Sequence, residues 1–196
     1  MGEVRALRAD ARRNRDAIVA AAREVFDRDE QLRFDDFAAR AGVGVGTLYR
    51  HFPTREALAA AVYEGEVAAL CDEASDPGRS ADENIGAFLR GFVEYVVTHG
   101  GLARTLAAVV DPSVQAVGGA RLERTVTDLL AQAAAEGSVR DDANAGAVMV
   151  VLHGIGSATD RPHWVAESRA AVELLLAGLR ALPAPDARAR HHIPPG

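Results

Sequence analysis

The sequence predicts an all-α protein of about nine helices, with a small N-terminal three-helix unit followed by a larger C-terminal helical one. Apolar residues recur at helical spacing almost throughout the 196 residues. No stretch shows the strict alternation that a half-buried strand needs. The breaks in the pattern fall at glycine, proline and polar clusters, where helices stop and start. No internal repeat is present.

The first helix, about 8–28, is marked by Ile18, Ala22, Val25 and Phe26 on one face. Phe34, Phe37, Ala38 and Ala41 mark a short second helix, with Asp35 and Asp36 favourably placed in its first turn. Gly42 follows where that helix should stop. Residues 45–52 read as a third short helix that Pro53 terminates, because the residue before a proline avoids the helical region. Thr54 caps a fourth helix that carries Glu56 and Leu58. The stretch SDPGRSADEN, 75–84, is polar, contains a Pro-Gly turn and marks a boundary. Ile85, Phe88, Leu89, Phe92, Val93 and Val96 then form a stripe that ends at Gly100-Gly101. Leu102, Leu106, Val109 and Val110 make a shorter helix stopped before Pro112, and residues 116–136 make another, ending near Gly137. Residues 145–156, AGAVMVVLHGIG, are apolar on nearly every side, so that helix needs burial on two faces. The last helix, 163–182, carries Val165, Val172, Leu175, Leu176, Leu179 and Leu182. The organisation expected is an N-terminal unit over 8–53, a connecting helix over 54–74, a C-terminal unit over 80–182 and a disordered tail over 183–196.

Charge and composition exclude several classes of function. No apolar run approaches the roughly 18 residues of a membrane span, and the N-terminus has no apolar signal region. The single Cys71 fits a reducing compartment, so a cytoplasmic location is expected. Net charge is −6 but unevenly spread. Residues 1–65 carry 11 Arg and 11 acidic residues, whereas 66–196 carry 11 Arg and 17 acidic ones. An anionic partner should therefore meet the N-terminal third. Every basic side chain is Arg, which GC-rich coding explains as well as phosphate recognition does.

The stretch AGVGVGTLYRHFPTREAL, 41–58, concentrates the chemistry. A dinucleotide loop needs G-x-G-x-x-G after a strand. Here Thr47 stands where the third glycine belongs, the preceding segment is helical, and the chain has no lysine for a phosphate-binding loop. A helix-turn-helix fits instead: a short helix, a glycine turn and a second short helix held on a small core. Phe34, Phe37, Ala38, Ala41, Val43, Leu48 and Phe52 supply that core. Thr47, Tyr49, Arg50 and His51 remain to face outward, and Gly44 and Gly46 leave the helix start uncrowded for phosphate.

The run FDDFAARAGVGVGTLYRHFPTREAL, preceded by an amphipathic helix ending AAREVF, resembles the DNA-binding domain of the TetR (tetracycline-repressor) family. The resemblance is specific over about 12–62. It implies a homodimeric repressor on a palindromic double-stranded DNA operator, whose C-terminal domain dimerises and receives a small-molecule effector. By the resemblance, Gly44, Val45, Gly46 and Thr47 begin the recognition helix, and Tyr49 and Arg50 contact bases or backbone. His51 matches the characteristic His-Phe ending, Thr54 caps the next helix, and Arg55 grips phosphate from it. Family members often cap the second helix with Thr or Ser. This chain has Leu32-Arg33-Phe34 there, which leaves the cap to another group and offers Arg33 as a phosphate contact. A different class, a nucleotide-using or hydrolytic enzyme whose helical N-terminus only resembles such a motif, stays open at this point.

No other constellation supports catalysis. His99, His153, His163, His191 and His192 show no metal-ligand spacing, so no metal and no cofactor are expected. His153, on the most apolar helix, is a candidate polar anchor in a ligand pocket. Phe88, Phe92, Tyr95, His99, Arg161 and Trp164 are the further candidates, with Arg104 nearby in sequence.

Overall fold

The computed structural model describes residues 2–28, 30 and 32–180, with backbone alone at 2–7, 101, 103–105 and 107. The tail expected over 183–196, with His191 and His192, and the last expected helical leucine, Leu182, lie outside the described residues. Nine α-helices follow in order among the described residues: α1 Gly2–Asp27, α2 Asp36–Arg40, α3 Val45–His51, α4 Arg55–Asp72, α5 Ala81–Thr98, α6 Gly100–Val109, α7 Pro112–Ala135, α8 Ala145–Ser157 and α9 Trp164–Leu179. An isolated antiparallel bridge joins Val139 to Arg180.

Local chemistry sets the ends of these helices. Gly42 adopts φ 68°, its N–H donates to Ala39 O and the Val43 N–H donates to Ala38 O at 2.9 Å. That pair of bonds, with Val43 and Ala38 both in apolar surroundings, is the Schellman stop. Gly137, at φ 72°, ends α7 in the same way. Thr54 accepts from the Ala57 N–H, and Ser80 and Glu83 form a reciprocal capping box at the start of α5. Asp111 caps α7 with Pro112 in its first turn, so that helix begins earlier than the apolar pattern indicates. α1 likewise begins at Gly2 and not near residue 8. The paired glycines expected to end α5 instead open α6, with His99 standing between the two helices as the cap of both.

Burial gathers into two apolar clusters. The first joins Ile18, Ala22, Val25 and Phe26 of α1 to Phe37 and Ala38 of α2, Leu48 of α3, Phe52, and Leu58, Ala59 and Val62 of α4. It also takes Leu102, Leu106 and Val110 from α6 and its C-cap. α6 therefore lies beyond the polar stretch 75–84 in sequence yet completes the N-terminal core. The second cluster packs α5, α7, α8 and α9 around Leu89, Val126, Leu129, Val148, Leu152 and Val172, and reaches Val67 of α4. α4 thus contributes its first half to one core and its second half to the other.

Tyr63 sits at that junction, packed against both clusters. Its hydroxyl donates to Gln115 O at 3.2 Å, and its ring lies over Gly118 of α7 so closely that a Cβ there would fall 2.5 Å from Cε1. Near the other end of α4, the Arg55 guanidinium lies 5.3 Å from the ring centroids of both Phe26 and Phe37. Its Nη1 donates to Leu32 O at 2.7 Å. One cation thereby ties α1, α2, the loop between them and the start of α4.

Two outcomes follow from this packing. Gly118→Ala forces the Tyr63 ring off α7, and the overpacking, about 1–3 kcal/mol, outweighs the helix propensity gained, about 1 kcal/mol. A lowered urea midpoint is expected. Arg55→Met keeps the apolar stem but loses both ring contacts and leaves the Leu32 carbonyl without its donor. About 2 kcal/mol of stability should be lost, read as a lower midpoint in thermal unfolding followed by circular dichroism.

Candidate nucleic-acid interface

α3 has seven residues and one fully buried side chain, Leu48, which anchors it in the first core. The opposite side is open. Val45 is 44% and Tyr49 47% exposed, Gly44, Gly46 and Arg50 are exposed, and Thr47 and His51 are half-buried. A Cβ at Gly44 or Gly46 would meet nothing within 4 Å, so neither glycine is required by packing inside this chain. What the two glycines produce is a bare surface over the first turn of α3.

Tyr49 is placed by α2 and the turn before it, not by α1. Its ring stands edge-on to Phe34 with centroids 5.3 Å apart, and its hydroxyl donates to Asp35 Oδ1 at 2.9 Å. That hydrogen bond holds the Tyr49 phenol above its ordinary pKa, because it stabilises the protonated form. Sequence reasoning placed Asp35 only as a helix-start acid, since no local pattern links residues 35 and 49. The missing Thr or Ser cap of α2 is replaced by short backbone turns from Asp36 to Arg33 O and from Phe37 to Phe34 O. The Asp36 carboxylate also accepts the Arg33 N–H at 3.2 Å. The Arg33 side chain is left exposed.

The remaining residues of this set divide by role. The His51 ring lies 6.3 Å from that of Phe52, and the Arg15 guanidinium sits 5.4 Å over the Phe52 ring. Thr54 is exposed and occupied as a cap. Arg55 points inward, into the contacts with Phe26, Phe37 and Leu32 described above. The structure therefore brings Arg33, Gly44, Val45, Gly46, Tyr49 and Arg50 to the surface of one small unit, with Thr47 and His51 half-buried beside them.

The candidate ligand residues do not converge on one site. Phe88 and Tyr95 line a cleft of about 550 Å³ between α4 and α5, with Arg23 of α1 at its edge, and the His99 ring lies tilted against that of Tyr95 with centroids 5.2 Å apart. Phe92 is half-buried against the second core. Arg161 and Trp164 line a separate depression at the start of α9, where Arg161 pairs with Glu167 at 2.6 Å and the Trp164 N–H donates to Ile155 O at 2.7 Å. His153 is exposed rather than buried. α8 buries Val148, Met149, Leu152 and Ile155, which places 153 on its outer side, with Nδ1 2.7 Å from Met149 O. The Arg104 side chain lies outside the described residues. Among the described residues no cluster of three or more His, Cys, Asp or Glu is arranged to hold a metal, and no helix is long and apolar enough to cross a membrane.

Comparison with known proteins agrees with this geometry. Residues 18–62 match the bacterial regulatory proteins of the tetR family, and residues 80–181 match the C-terminal domain of SbtR-like transcriptional regulators. The chain is 37% identical to the TetR transcriptional regulator SCO0520 from Streptomyces coelicolor, over 86% of this chain and 99% of that one, with a TM-score of 0.67. It is 32% identical to a TetR transcription regulatory protein from Mycobacterium vanbaalenii, over 89% and 99% of the two chains, with a TM-score of 0.69. A 72-residue stretch is 33% identical to the HTH-type transcriptional regulator SAR0097 of Staphylococcus aureus, covering 35% of this chain and 38% of that protein. An exposed short helix on a helix-turn-helix core, joined to a matching C-terminal domain, leads to one assignment: the chain belongs to the TetR family of DNA-binding transcriptional regulators.

Proposed function

We propose that the protein is a cytoplasmic repressor that binds an inverted-repeat operator as a twofold dimer and leaves it when a small molecule binds. The observation that carries this reading is the outward face of α3, a convex, solvent-open helix surface with Arg50 and Tyr49 on it and bare backbone at Gly44 and Gly46. Such a surface suits the major groove, about 12 Å wide, and not the enclosed cleft that catalysis on a small substrate needs. Arg50 is assigned to base reading and Arg33 to phosphate. Tyr49 is assigned to the groove wall, with its hydroxyl positioned by Asp35. Arg55 supports the arrangement from inside.

The dimer is supported by the faces that α8 and α9 leave uncovered. Val150 is 72% and Leu174 75% exposed, and Ala147, Gly154, Ala170, Ala177 and Gly178 beside them are small and exposed. A helix such as α8, apolar on both sides but buried on one, is completed by a second copy in a four-helix bundle. Twofold symmetry then sets the two α3 helices roughly 34–36 Å apart, or at a longer spacing that a longer operator matches. A ligand that favours a different separation must weaken DNA binding, and DNA must weaken the ligand by the same factor.

The test is fluorescence anisotropy with inverted repeats from the upstream region of the protein's own gene, across a salt series. Wild-type protein should bind one such repeat with a clear salt slope. Arg50→Ala should lose about 1–3 kcal/mol of binding and discriminate less at one base pair per half-site, with the unfolding midpoint unchanged. Full affinity in a folded Arg50→Ala protein would put the DNA face elsewhere. Leu174→Glu places a charge in the α8–α9 face and should sediment as a monomer with operator affinity reduced by more than about tenfold. A persistent dimer at micromolar concentration would count against that interface.

A further inference from the structure

Asp35 occupies the N-cap position of α2, yet its side chain makes no capping hydrogen bond. A carboxylate there ordinarily accepts an N–H of the first turn. In this helix the N–H groups of Asp36, Phe37 and Ala38 go to the carbonyls of Arg33, Phe34 and Asp35. The Asp35 carboxylate reaches across to α3 instead, where Oδ1 accepts the Tyr49 hydroxyl at 2.9 Å. The edge contact with Phe34 fixes the Tyr49 ring in that position. Both residues stay exposed, Tyr49 by 47%, and among the described residues no Arg makes an ion pair with Asp35. A hydrogen bond left in water adds little stability by itself, so its consequence is the chemistry that it presents beside Arg50. A phenol has one proton, and here that proton is committed. The remaining lone pairs of Tyr49 Oη and of the Asp35 carboxylate leave a rim with acceptors, a full negative charge and no donor.

We propose, on the operator reading given above, that Asp35 is a specificity-determining residue: with Tyr49 it selects one base pair per half-site that presents an exocyclic amino group, cytosine N4 or adenine N6, on its major-groove edge. Those amino groups are the hydrogen-bond donors of that edge, and a carboxylate accepting from cytosine N4 is among the pairings that groove geometry allows. Guanine O6 or thymine O4 at the same place would meet acceptors and a charge, with no donor to satisfy it. Phosphate oxygens are disfavoured for the same reason, which keeps this corner of α3 from holding any duplex indiscriminately. Arg50, the next residue, has the opposite polarity: its guanidinium only donates, which suits guanine O6 and N7. Neighbouring side chains thus read two different base-pair edges, one by donation and one by acceptance. Without Asp35 the Tyr49 hydroxyl would be free to rotate, to donate or to accept, and would not distinguish an amino from a keto group.

The experiment measures anisotropy on an upstream inverted repeat that the wild type binds, with one base changed symmetrically in both half-sites each time. Cytosine is replaced by 2-pyrimidinone and adenine by purine, which delete the amino group. Wild-type protein should show one amino-dependent position, distinct from the base pair that Arg50→Ala ceases to discriminate. There the deletion should weaken binding about tenfold or more. In Asp35→Ala that penalty should fall below about twofold, and a keto base at the same position should be tolerated. Tyr49→Phe, which leaves the carboxylate unanchored, should reduce the penalty about threefold or more. Because the Asp35 side chain caps nothing, Asp35→Ala should keep the wild-type unfolding midpoint and bind an unrelated duplex at least as tightly. No amino-dependent position in the wild type, or the same penalty in Asp35→Ala, would overturn Asp35 as a selecting residue. An Asp35→Ala protein weakened equally on every duplex would point to a structural role alone and overturn it too. Full preference in Tyr49→Phe would take the hydroxyl out of the selection. No binding to any upstream repeat would strike the operator reading and the selection with it, whereas a bound repeat without amino dependence strikes the selection alone.

Discussion

Presentation of α3 depends on the guanidinium of Arg55 held against the paired rings of Phe26 and Phe37. A five-residue α2 and a seven-residue α3 are too short to persist alone, because helix nucleation is unfavourable and each offers few bonds in return. Their positions come from the core beneath them. Leu48 supplies the only fully buried side chain of α3, so its orientation is set by how firmly α1, α2 and α4 hold one another. Arg55 occupies the first position of α4, where the helix dipole disfavours a cation by about 0.3–1 kcal/mol. Two ring faces and a charged hydrogen bond to Leu32 O offset that cost severalfold. The placement is unfavourable locally and favourable in the assembled unit.

From that clamp the structure extends by sharing helices between cores. α4 begins beside Arg55 and ends against the second cluster at Val67, while α6 returns Leu102, Leu106 and Val110 to the first. Tyr63 on Gly118 fixes α4 to α7 with almost no free space. The helix-turn-helix unit is consequently not an independent small domain tethered by a linker. Its core is completed by a helix from the C-terminal half, and a shift of α4 or α6 has no slack in which to be absorbed. Packed interfaces of this kind pass small displacements on as whole-helix movements.

Helix ends were legible because one or two residues decide each of them. Gly42, Pro53 with Thr54, and the turn at Gly137 all stop or start helices where their backbone preferences dictate. The outward position of Tyr49 and Arg50 was legible too, since Leu48 and Phe52 four residues apart define the inner side. Features set by distant neighbours were not. The α8 sequence is apolar on all sides, so periodicity held no information on which face meets the core, and His153 fell on the other one. Arg55 reads as a surface cation until its guanidinium is known to lie over Phe26 and Phe37. The Gly100-Gly101 pair carries the residue type of a helix stop, yet His99 serves as the break and the glycines open the next helix. The Arg23–Glu66 and Asp27–His99 pairs span 43 and 72 residues, separations across which no sequence spacing speaks.

The charge distribution bears on the switching proposed above. A DNA-binding protein with a strongly basic surface gains most of its affinity from counterion release, which tolerates small errors in geometry. Here the first 65 residues carry equal numbers of Arg and acidic residues. Several of those Arg are engaged within the protein, Arg13 with Asp10, Arg40 with Glu30 and Arg23 with Glu66. Asp35 even places a carboxylate beside Tyr49 at the edge of α3. On the operator reading proposed above, the sequence-independent part of binding is correspondingly small, and affinity comes from a few groups held at fixed positions on two recognition helices. A complex that draws its free energy from exact spacing loses it when the spacing changes by a few ångströms, whereas one held by bulk charge would only slide.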